Sequence, residues 1–178
     1  YLQAQVGKPI VTSSEDKKGF DIAFSVVEGD SFTIEKIGFE GNQIFDAATL
    51  AGVTESHAGE TFSKEKIGKD IQKIMDRYGE KGHLFANVFP QVYPKPEKKT
   101  VDLTYHITEG NPYRVRHIAI VGNEKTRDYV NRREMRKDEQ EQVNKVLLNR
   151  SFQRIHNLNF FEKIDIVPQK ISEDEVDL

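Results

Sequence analysis

The chain contains an internal repeat, and this repeat limits the fold more than any other feature of its sequence. The segment FTIEKIGFEGN at 32–42 returns 81 positions later as YRVRHIAIVGN at 113–123. The same offset relates FDIAFSVVEGD at 20–30 to VDLTYHITEGN at 101–111. A repeat of this kind predicts an array of similar small modules, each in contact with its neighbours.

The repeat boundaries divide the chain into three parts, of which one is a complete module. Residues 1–30, the N-terminal segment, are expected to be the last two strands of a preceding module. Residues 31–111, the middle module, are expected to be complete. Residues 112–178, the last module, are expected to be cut short at their last strand, because VDL at 176–178 repeats the strand start at 101–103.

The connections between the modules are short. Each contains a glycine, Gly29 or Gly110, that allows a bend, and Pro112 stiffens the chain after the second connection. Adjacent modules are therefore expected to lie within a limited range of angles.

Within the middle module, the apolar pattern predicts the order strand, helix, helix, strand, strand. A first strand covers 32–40, a short helix lies near 46–51, and a longer helix begins after Ser63, a typical N-cap residue. From Val101 to Thr108 apolar and polar residues alternate, so one face of this strand is apolar. The predicted fold class is α+β: tandem β-α-α-β-β modules, each with two helices on one face of a three-stranded mixed sheet.

The alternation in the first strand slips by one residue at Glu35-Lys36, and it slips at the same place in the last module. Either a β-bulge or a linker that runs into the strand explains such a slip. We favour the linker, with the strands beginning near Glu35 and near Arg116. Phe32 and Tyr113 would then pack across the junctions between modules.

Proline residues indicate which strand lies at the edge of each sheet. The second strands contain Pro9, Pro90 and Pro168, and the third strands contain none. Because proline has no N–H to donate, the second strand is predicted at the edge and the third at the centre, flanked by the first. An open edge can accept an extended chain by β-augmentation, although many edges bind nothing and proline can serve to prevent binding. The predicted contact residues on the two edge strands are Leu84, Phe85, Asn87, Val88, Phe89, Phe161, Lys163, Ile164 and Ile166.

The sequence lacks the patterns that accompany catalysis. It has no cysteine, which excludes disulfides and thiolate metal sites, and its five histidines are scattered over different predicted elements. It contains no Gly-x-Ser-x-Gly elbow, phosphate-binding glycine loop or dinucleotide fingerprint. We therefore predict no enzyme activity, no metal and no cofactor.

Nucleic acid is also a poor candidate partner. The formal net charge is -3, and the one basic run, NRREMRK at 131–137, includes Glu134. The loop between the two helices lacks the Gly-x-x-Gly that a KH module uses to clamp a nucleic-acid backbone. This face is predicted to be solvated or to contact protein.

The module order, the Gly-Asn turn after each first strand, the Glu-Gly pair between modules and NLNFFEKIDI at 157–166 resemble POTRA domains. These are the polypeptide-transport-associated modules of outer-membrane β-barrel assembly proteins. The most specific stretch, YRVRHIAIVGNEKTRDYVNRREMR, is similar to the last POTRA domain before the membrane barrel of such a protein. The middle module, with DRYGEKGHLFANV, would be the penultimate one.

This resemblance implies a periplasmic region of an outer-membrane protein that performs no catalysis. Its implied partners are unfolded outer-membrane proteins, accessory lipoproteins and its own C-terminal membrane barrel, and clients would bind by edge-strand augmentation. The family also has an acidic-Gly pair in the docking segment, whereas Gln140 follows the acidic residue here. The positions that correspond to the family's lipoprotein-docking segment are Arg132, Arg133, Glu134, Arg136 and Glu139.

Two other assignments remain open at this stage. The modules could belong to a two-partner secretion pore or an organelle import pore, or to a division-protein-like scaffold with one fixed partner. A fixed partner predicts a large apolar patch on the edge face, whereas transient clients predict a modest, mixed one. Phe85, Phe89 and Tyr93 alternate along the edge strand and are compatible with either assignment.

Overall fold

The computed structural model describes residues 5–13, 19–123, 126–135 and 139–178. Within the described N-terminal segment there are four short strands, of which the first pairs with the fourth and the second with the third, all antiparallel. Together they form two stretches of one long hairpin, joined by the hydrogen bond from Gly7 N–H to the Ser25 carbonyl at 2.8 Å. The strands are β1 (Gln5–Val6), β2 (Ile10–Ser13), β3 (Phe20–Ala23) and β4 (Val26–Val27).

The middle module contains β5 (Thr33–Glu40), α1 (Ala47–Ala51), α2 (Lys64–Glu80), β6 (Asn87–Lys95) and β7 (Thr100–Thr108). β7 lies between the other two strands, parallel to β5 and antiparallel to β6. A short 3-10 helix joins β6 to β7. The strand order confirms the inference from proline: the second strand lies at the edge and the third at the centre.

The two helices cover one face of this sheet. Val101, Leu103, Tyr105 and Ile107 of β7 are buried against the helices, while the residues between them lie on the opposite face. Burial of a large apolar side chain stabilises the fold by about 1.5–3 kcal/mol, so this layer supplies much of the stability of the module. The α+β class and the two-layer arrangement are thus as predicted.

Local capping fixes where the helices begin. The Asp46 carboxylate accepts a hydrogen bond from Thr49 N–H at 2.8 Å, and the Ser63 hydroxyl accepts one from Lys66 N–H at 3.4 Å. After α2 the chain turns at Gly82, whose φ of +87° is readily adopted only by glycine.

A buried carboxylate ties α2 to the sheet and to the preceding loop. Asp70 is fully buried, and it accepts a hydrogen bond from the Tyr105 hydroxyl at 2.8 Å. It also accepts hydrogen bonds from the backbone N–H groups of Glu55 and Ser56. These three donors provide the hydrogen bonds that a buried carboxylate needs, so Asp70 has a structural role in the fold.

The first strand begins earlier than predicted, because the change of phase is a β-bulge. Ile34 pairs with Val101 and Lys36 pairs with Asp102, so Glu35 is the extra residue. The bulge lets Ile34 stay buried while the Glu35 carboxylate reaches Lys95 Nζ at 3.0 Å. The predicted linker was therefore wrong.

The same bulge recurs in the last module. Val176 pairs with Val115 and Asp177 pairs with His117, which leaves Arg116 as the extra residue. Arg116 binds the Asp177 carboxylate through two hydrogen bonds.

Phe32 and Tyr113, the two aromatic residues expected at the junctions, pack in different places. Phe32 is buried in the core of its own module, so its predicted contact across a junction was wrong. Tyr113 does pack across the junction, since its ring centroid lies 5.1 Å from that of Phe85 in an edge-to-face arrangement.

The last module contains β8 (Arg114–His117), α3 (Asp128–Arg132), α4 (Lys145–His156), β9 (Gln169–Lys170) and β10 (Glu175–Asp177). β10 lies between β8 and β9, parallel to β8 and antiparallel to β9, as in the middle module. Its core is formed by Tyr113, Val115, Ile118, Val143, Leu148 and Val176.

The predicted edge strand of the last module is much shorter than expected. Val176 pairs with Lys170 and Asp177 with Gln169, so residues before 168 would pair with positions after 178. The segment before β9 is coil beside a groove of about 510 Å³. The prediction was therefore wrong for Phe161, Lys163, Ile164 and Ile166, which lie outside any strand.

The turn before α4 has the same geometry as the equivalent turn of the middle module, although glutamine replaces glycine there. Gln140 has a φ of +70°, and Gly59, 81 positions earlier, has a φ of +89°. Their N–H groups donate equivalent hydrogen bonds, from Gln140 to the Val115 carbonyl at 2.6 Å and from Gly59 to the Ile34 carbonyl at 2.8 Å. The left-handed conformation is strained for glutamine.

Replacing Gln140 with glycine is therefore expected to raise the free energy of unfolding, by up to about 1 kcal/mol, measured by chemical denaturation. The matched variant is Gly59→Ala, where no atom lies within 4 Å of the added Cβ. It is expected to lose about 1 kcal/mol through its φ alone. A Gln140→Gly variant less stable than the native chain would contradict this account.

Candidate protein-docking surfaces

One edge of the middle sheet is available to another chain. β6 pairs with β7 along its whole length, and no described strand pairs with its other side. Pro90 and Pro94 pair with Tyr105 and Val101. Because proline has no N–H, both prolines occupy positions whose nitrogen faces away from β7.

The prolines also set how many donors this edge presents. Alternate residues of a strand face the same side, so Val88 and Val92 face outward together with Pro90 and Pro94. These four residues present four carbonyl groups but only two N–H groups. An added strand would thus find a full set of acceptors and half the usual donors.

The helix-free face beside this edge carries aromatic side chains among polar ones. Phe89 is 66% exposed and Tyr93 is 49% exposed. Between them, Gln91 Oε1 lies 2.6 Å from His106 Nε2, and beyond Tyr93 the Lys95 Nζ lies 2.7 Å from the Asp102 carboxylate. The surface is small and mixed.

The structure places the predicted edge residues of the middle module in two different environments. Asn87, Val88 and Phe89 lie in β6, although the Val88 side chain is buried and offers only its backbone. Leu84 and Phe85 precede the strand, which corrects the prediction. Leu84 packs against the core of the last module and Phe85 against Tyr113, because the chain turns towards that module after α2.

The junction between the two modules contains polar contacts that the sequence did not predict, in addition to the packing of Tyr113. Side chains of the last module donate hydrogen bonds to the carbonyl groups at the end of α2: Gln142 to Lys81 at 2.8 Å and Asn144 to Glu80 at 3.2 Å. These carbonyls have no partner within the helix, so the next module completes the cap. Lys145 Nζ lies 3.1 Å from the Asp76 carboxylate across the same interface.

The linker is held by Glu109, which follows β7. Its carboxylate accepts hydrogen bonds from Gln43 N–H at 2.7 Å, Ile44 N–H at 2.9 Å and the Tyr78 hydroxyl at 2.8 Å. His83 Nδ1 lies 3.0 Å from the Gly110 carbonyl, an acceptor, so this nitrogen carries the proton. The repeated Glu-Gly pair was a signal for this role, but a structural role was predicted only for its glycine.

The two glycines predicted in the linkers have the backbone conformation of turn residues. Gly29 and Gly110 have φ values of +74° and +65°. Both values lie in the left-handed region that favours glycine. Pro112 follows in a stretch without secondary structure.

The electrostatic environment of Glu109 favours its charged form. Burial opposes ionisation, but the hydrogen bonds from Ile44, Tyr78 and Gln43 outweigh it and hold the pKa of Glu109 below its ordinary value. Burial and the same carboxylate raise the pKa of the Tyr78 hydroxyl.

The predicted lipoprotein-docking residues separate into two ion-pair groups. Arg132 and Glu139 meet at the edge of β8, with Arg132 Nη1 3.6 Å from Glu139 Oε1. Arg133 and Arg154 both contact the Glu134 carboxylate, at 3.2 and 3.0 Å. The Arg133 side chain is 63% exposed, so it can contact a partner.

Arg136 lies outside the described residues. The hydrogen bond from Ile118 N–H, together with the charges of His117 and Arg132, lowers the pKa of Glu139 against the opposing effect of burial.

Among the described residues, no group of three or more His, Asp and Glu side chains is arranged to hold a metal ion. In the same part of the chain, no helix combines the length and apolar character needed to cross a bilayer.

A family model described as POTRA, surface antigen variable number repeat, matches residues 32–110 and 113–178. The chain belongs to the POTRA family. The two matched ranges coincide with the middle and last modules described above.

Two similar proteins are both named as outer membrane protein assembly factors. The outer membrane protein assembly factor BamA of Neisseria meningitidis is 33% identical over the whole chain, and that of Nitratidesulfovibrio vulgaris is 32% identical. This chain spans 23% of the length of each. The crystal structure of Haemophilus influenzae BamA POTRA3-5 matches with a TM-score of 0.87 and 27% identity, over 99% of this chain and 71% of that one.

The variant Gly79→Ala tests how the two modules pack at their junction, because a Cβ at position 79 would lie 2.7 Å from Lys145 Cβ. A helical Gly→Ala change usually stabilises by about 1 kcal/mol. We expect Gly79→Ala to lose this gain and to shift the backbone amide signals of 142–145 in NMR spectra. Gly68→Ala on the same helix, where no atom lies within 4 Å, is the control and should be stabilising. Equal stabilisation by both would show that the modules do not pack as described.

The lowered pKa of Glu109 predicts that the free energy of unfolding depends on pH. Because its folded pKa is lowered, its contribution is complete above the unfolded pKa near 4.5 and is lost as the pH falls through the folded pKa. Glu109→Gln is expected to lower the free energy of unfolding at neutral pH by about 1–3 kcal/mol. Unfolding curves of native and variant chains should converge at acidic pH, and a constant difference at every pH would contradict the assignment.

Proposed function

We propose that this chain is the periplasmic POTRA region of an outer-membrane β-barrel assembly factor, and that it binds unfolded outer-membrane proteins. The sequence similarity to BamA proteins, whose names describe outer membrane protein assembly, supports the first part. The open edge of β6 supports the second, and it is the single observation that carries the proposed binding mode. The role is that of a binding scaffold and includes no chemical step.

The composition of the edge suits transient contact. Each backbone hydrogen bond contributes about 0.5–1.5 kcal/mol net, so the few outward groups of β6 give a weak, reversible complex. Main-chain bonds do not depend on the client sequence, which suits many different clients. Phe89 and Tyr93 add a small apolar surface to which client side chains can bind. A surface this small and mixed favours transient clients over one fixed partner.

We also propose that the last module docks accessory lipoproteins. The resemblance assigns this role to Arg132, Arg133, Glu134, Arg136 and Glu139. The exposed guanidinium of Arg133 supports it, since arginine is favoured where a partner presents carboxylates. In this proposal the membrane barrel of the same protein follows the last module.

The groove beside the last sheet is proposed to hold the rest of the central strand. The register of β9 with β10 would direct residues added after Leu178 between 118–121 and 163–167, which line the groove. In a chain extended by its natural following residues, amides of 163–167 are expected to become protected from hydrogen exchange. Continued rapid exchange would contradict this register.

Pro90 provides a sharp test of client binding. Pro90→Ala adds an outward N–H to β6, and one further hydrogen bond should tighten binding about two- to tenfold. The measurement is NMR titration of the isotope-labelled chain with a peptide from an outer-membrane β-strand. Perturbed amides are expected along Asn87–Lys95.

Two matched variants control for side-chain effects. Val92→Pro removes an outward N–H and should weaken binding, whereas Val92→Ala keeps it and should bind nearly as the native chain does. Unchanged affinity in Pro90→Ala and Val92→Pro, both folded, would exclude β6 as the docking edge.

A further inference from the structure

Each sheet also has a second edge, formed by its first strand. In the middle module, backbone from the loop before α2 covers the beginning of this edge: Ile34 N–H donates to the Glu60 carbonyl and Gly59 N–H donates to the Ile34 carbonyl, both at 2.8 Å. In the last module, residues 140–141 make the equivalent two bonds with Val115. This cover ends at the bulge in both modules.

Beyond the bulge, Ile118 is the next residue of the last module that faces outward. Leu178 N–H donates to the His117 carbonyl at 3.0 Å, and Ala119 N–H donates to the Leu178 carbonyl at 2.8 Å. Because these two neighbours of Ile118 bond inward, the N–H and C=O of Ile118 point away from the sheet.

Side chains satisfy both of these groups. Ile118 N–H donates to Glu139 Oε1 at 3.1 Å, and Arg132 Nη2 donates to the Ile118 carbonyl at 2.7 Å. The two side chains therefore take the positions that the acceptor and donor of an added strand would take. Because both are charged, their hydrogen bonds are stronger than those of a neutral peptide.

The pair is held in place by other parts of the module. Arg132 Nε lies 3.2 Å from the Asp128 carboxylate, one turn earlier on α3. His117 Nδ1 lies 2.9 Å from Glu139 Oε1. The arginine belongs to α3 and the glutamate to the loop before α4, so the arrangement exists only in the folded module.

The middle module lacks this arrangement. The positions 81 residues earlier than Arg132 and Glu139 are Ala51 and Ala58, which have no side-chain donor or acceptor. The residue equivalent to Ile118 is Ile37, which lies beyond the bulge of β5. The edge of β5 at Ile37 is therefore not closed by side chains.

We propose that Arg132 and Glu139 close the first-strand edge of the last module against strand addition, and thereby decide which first-strand edge can take an extended polypeptide. That edge is at Ile37 in the middle module. The partner is recognised by its main chain, as an extended segment with free N–H and C=O groups. This inference concerns β5 and β8, and it holds whether or not β6 binds clients.

The experiment is an NMR titration of the isotope-labelled chain with a short, end-blocked peptide of alternating valine and threonine. The native chain is expected to show perturbed amides near Ile37 and none at 117–120. In the double variant Arg132→Ala/Glu139→Ala, new perturbations are expected at 117–120. Perturbation of 117–120 in the native chain, or none there in a folded double variant, would overturn the proposal.

The reciprocal variant Ala51→Arg/Ala58→Glu is expected to remove the perturbation near Ile37. It leaves the last module unchanged, so it decides the question even where the first double variant does not fold. Persistent perturbation near Ile37 in this variant would count against closure by the pair. Hydrogen exchange gives a further readout: the Ile118 amide should exchange about tenfold faster in Glu139→Ala, and an unchanged rate would contradict the role of that carboxylate.

Failure of the proposed client binding would be visible separately. It would appear as an absence of perturbation along Asn87–Lys95 with a client peptide, whatever happens at 117–120.

Discussion

In a three-stranded sheet, only the central strand is hydrogen-bonded on both sides. The main features of this molecule follow from how the free backbone groups of the two edge strands are covered. Unpaired backbone groups on an edge attract other chains, including copies of the same protein. In the middle module the outer side of β6 keeps its carbonyls but has prolines at two of its four outward positions. The opposite edge is partly covered by the loop that leads into α2. The openings that remain are short.

In the last module, the first-strand edge is covered further than in the middle module. The loop cover of its first strand is the same, but a charged pair extends the cover by one more residue, Ile118. Repeats of one fold thus differ in which backbone groups they leave free. For a binding scaffold, this difference is a physical basis for dividing roles among modules that share a topology.

The modules also complete one another. A module of this size buries a small core, and contact with a neighbour adds to it. Here the end of α2 obtains its capping hydrogen bonds from Gln142 and Asn144 of the following module, while Leu84 reaches into the next core. Glu109 fixes the linker by bonding to the turn after β5 and to Tyr78. The two modules therefore meet through several interactions that require one relative orientation.

Local features of the sequence were sufficient for much of the fold. The repeat predicted the modules, the cap at Ser63 marked where α2 begins, and Pro90 identified the edge strand. Each of these depends on a property of one residue or of a short period, such as a missing N–H or a side-chain acceptor next to free amides. The choice between bulge and linker was not local, because it depends on the register of β5 with β7, which leaves Glu35 without a partner in the ladder.

The sequence alone determined the order of elements, the position of the edge and the family resemblance, since these are written in periodicity and in the backbone chemistry of proline and glycine. Only the tertiary structure decided that Leu84 and Phe85 belong to a junction, that residues 161–167 lie outside the sheet, and that Arg132 meets Glu139 at Ile118. The physical reason is that these features depend on contacts between different elements, or between different modules. Their geometry depends on how helices, strands and neighbouring modules pack together.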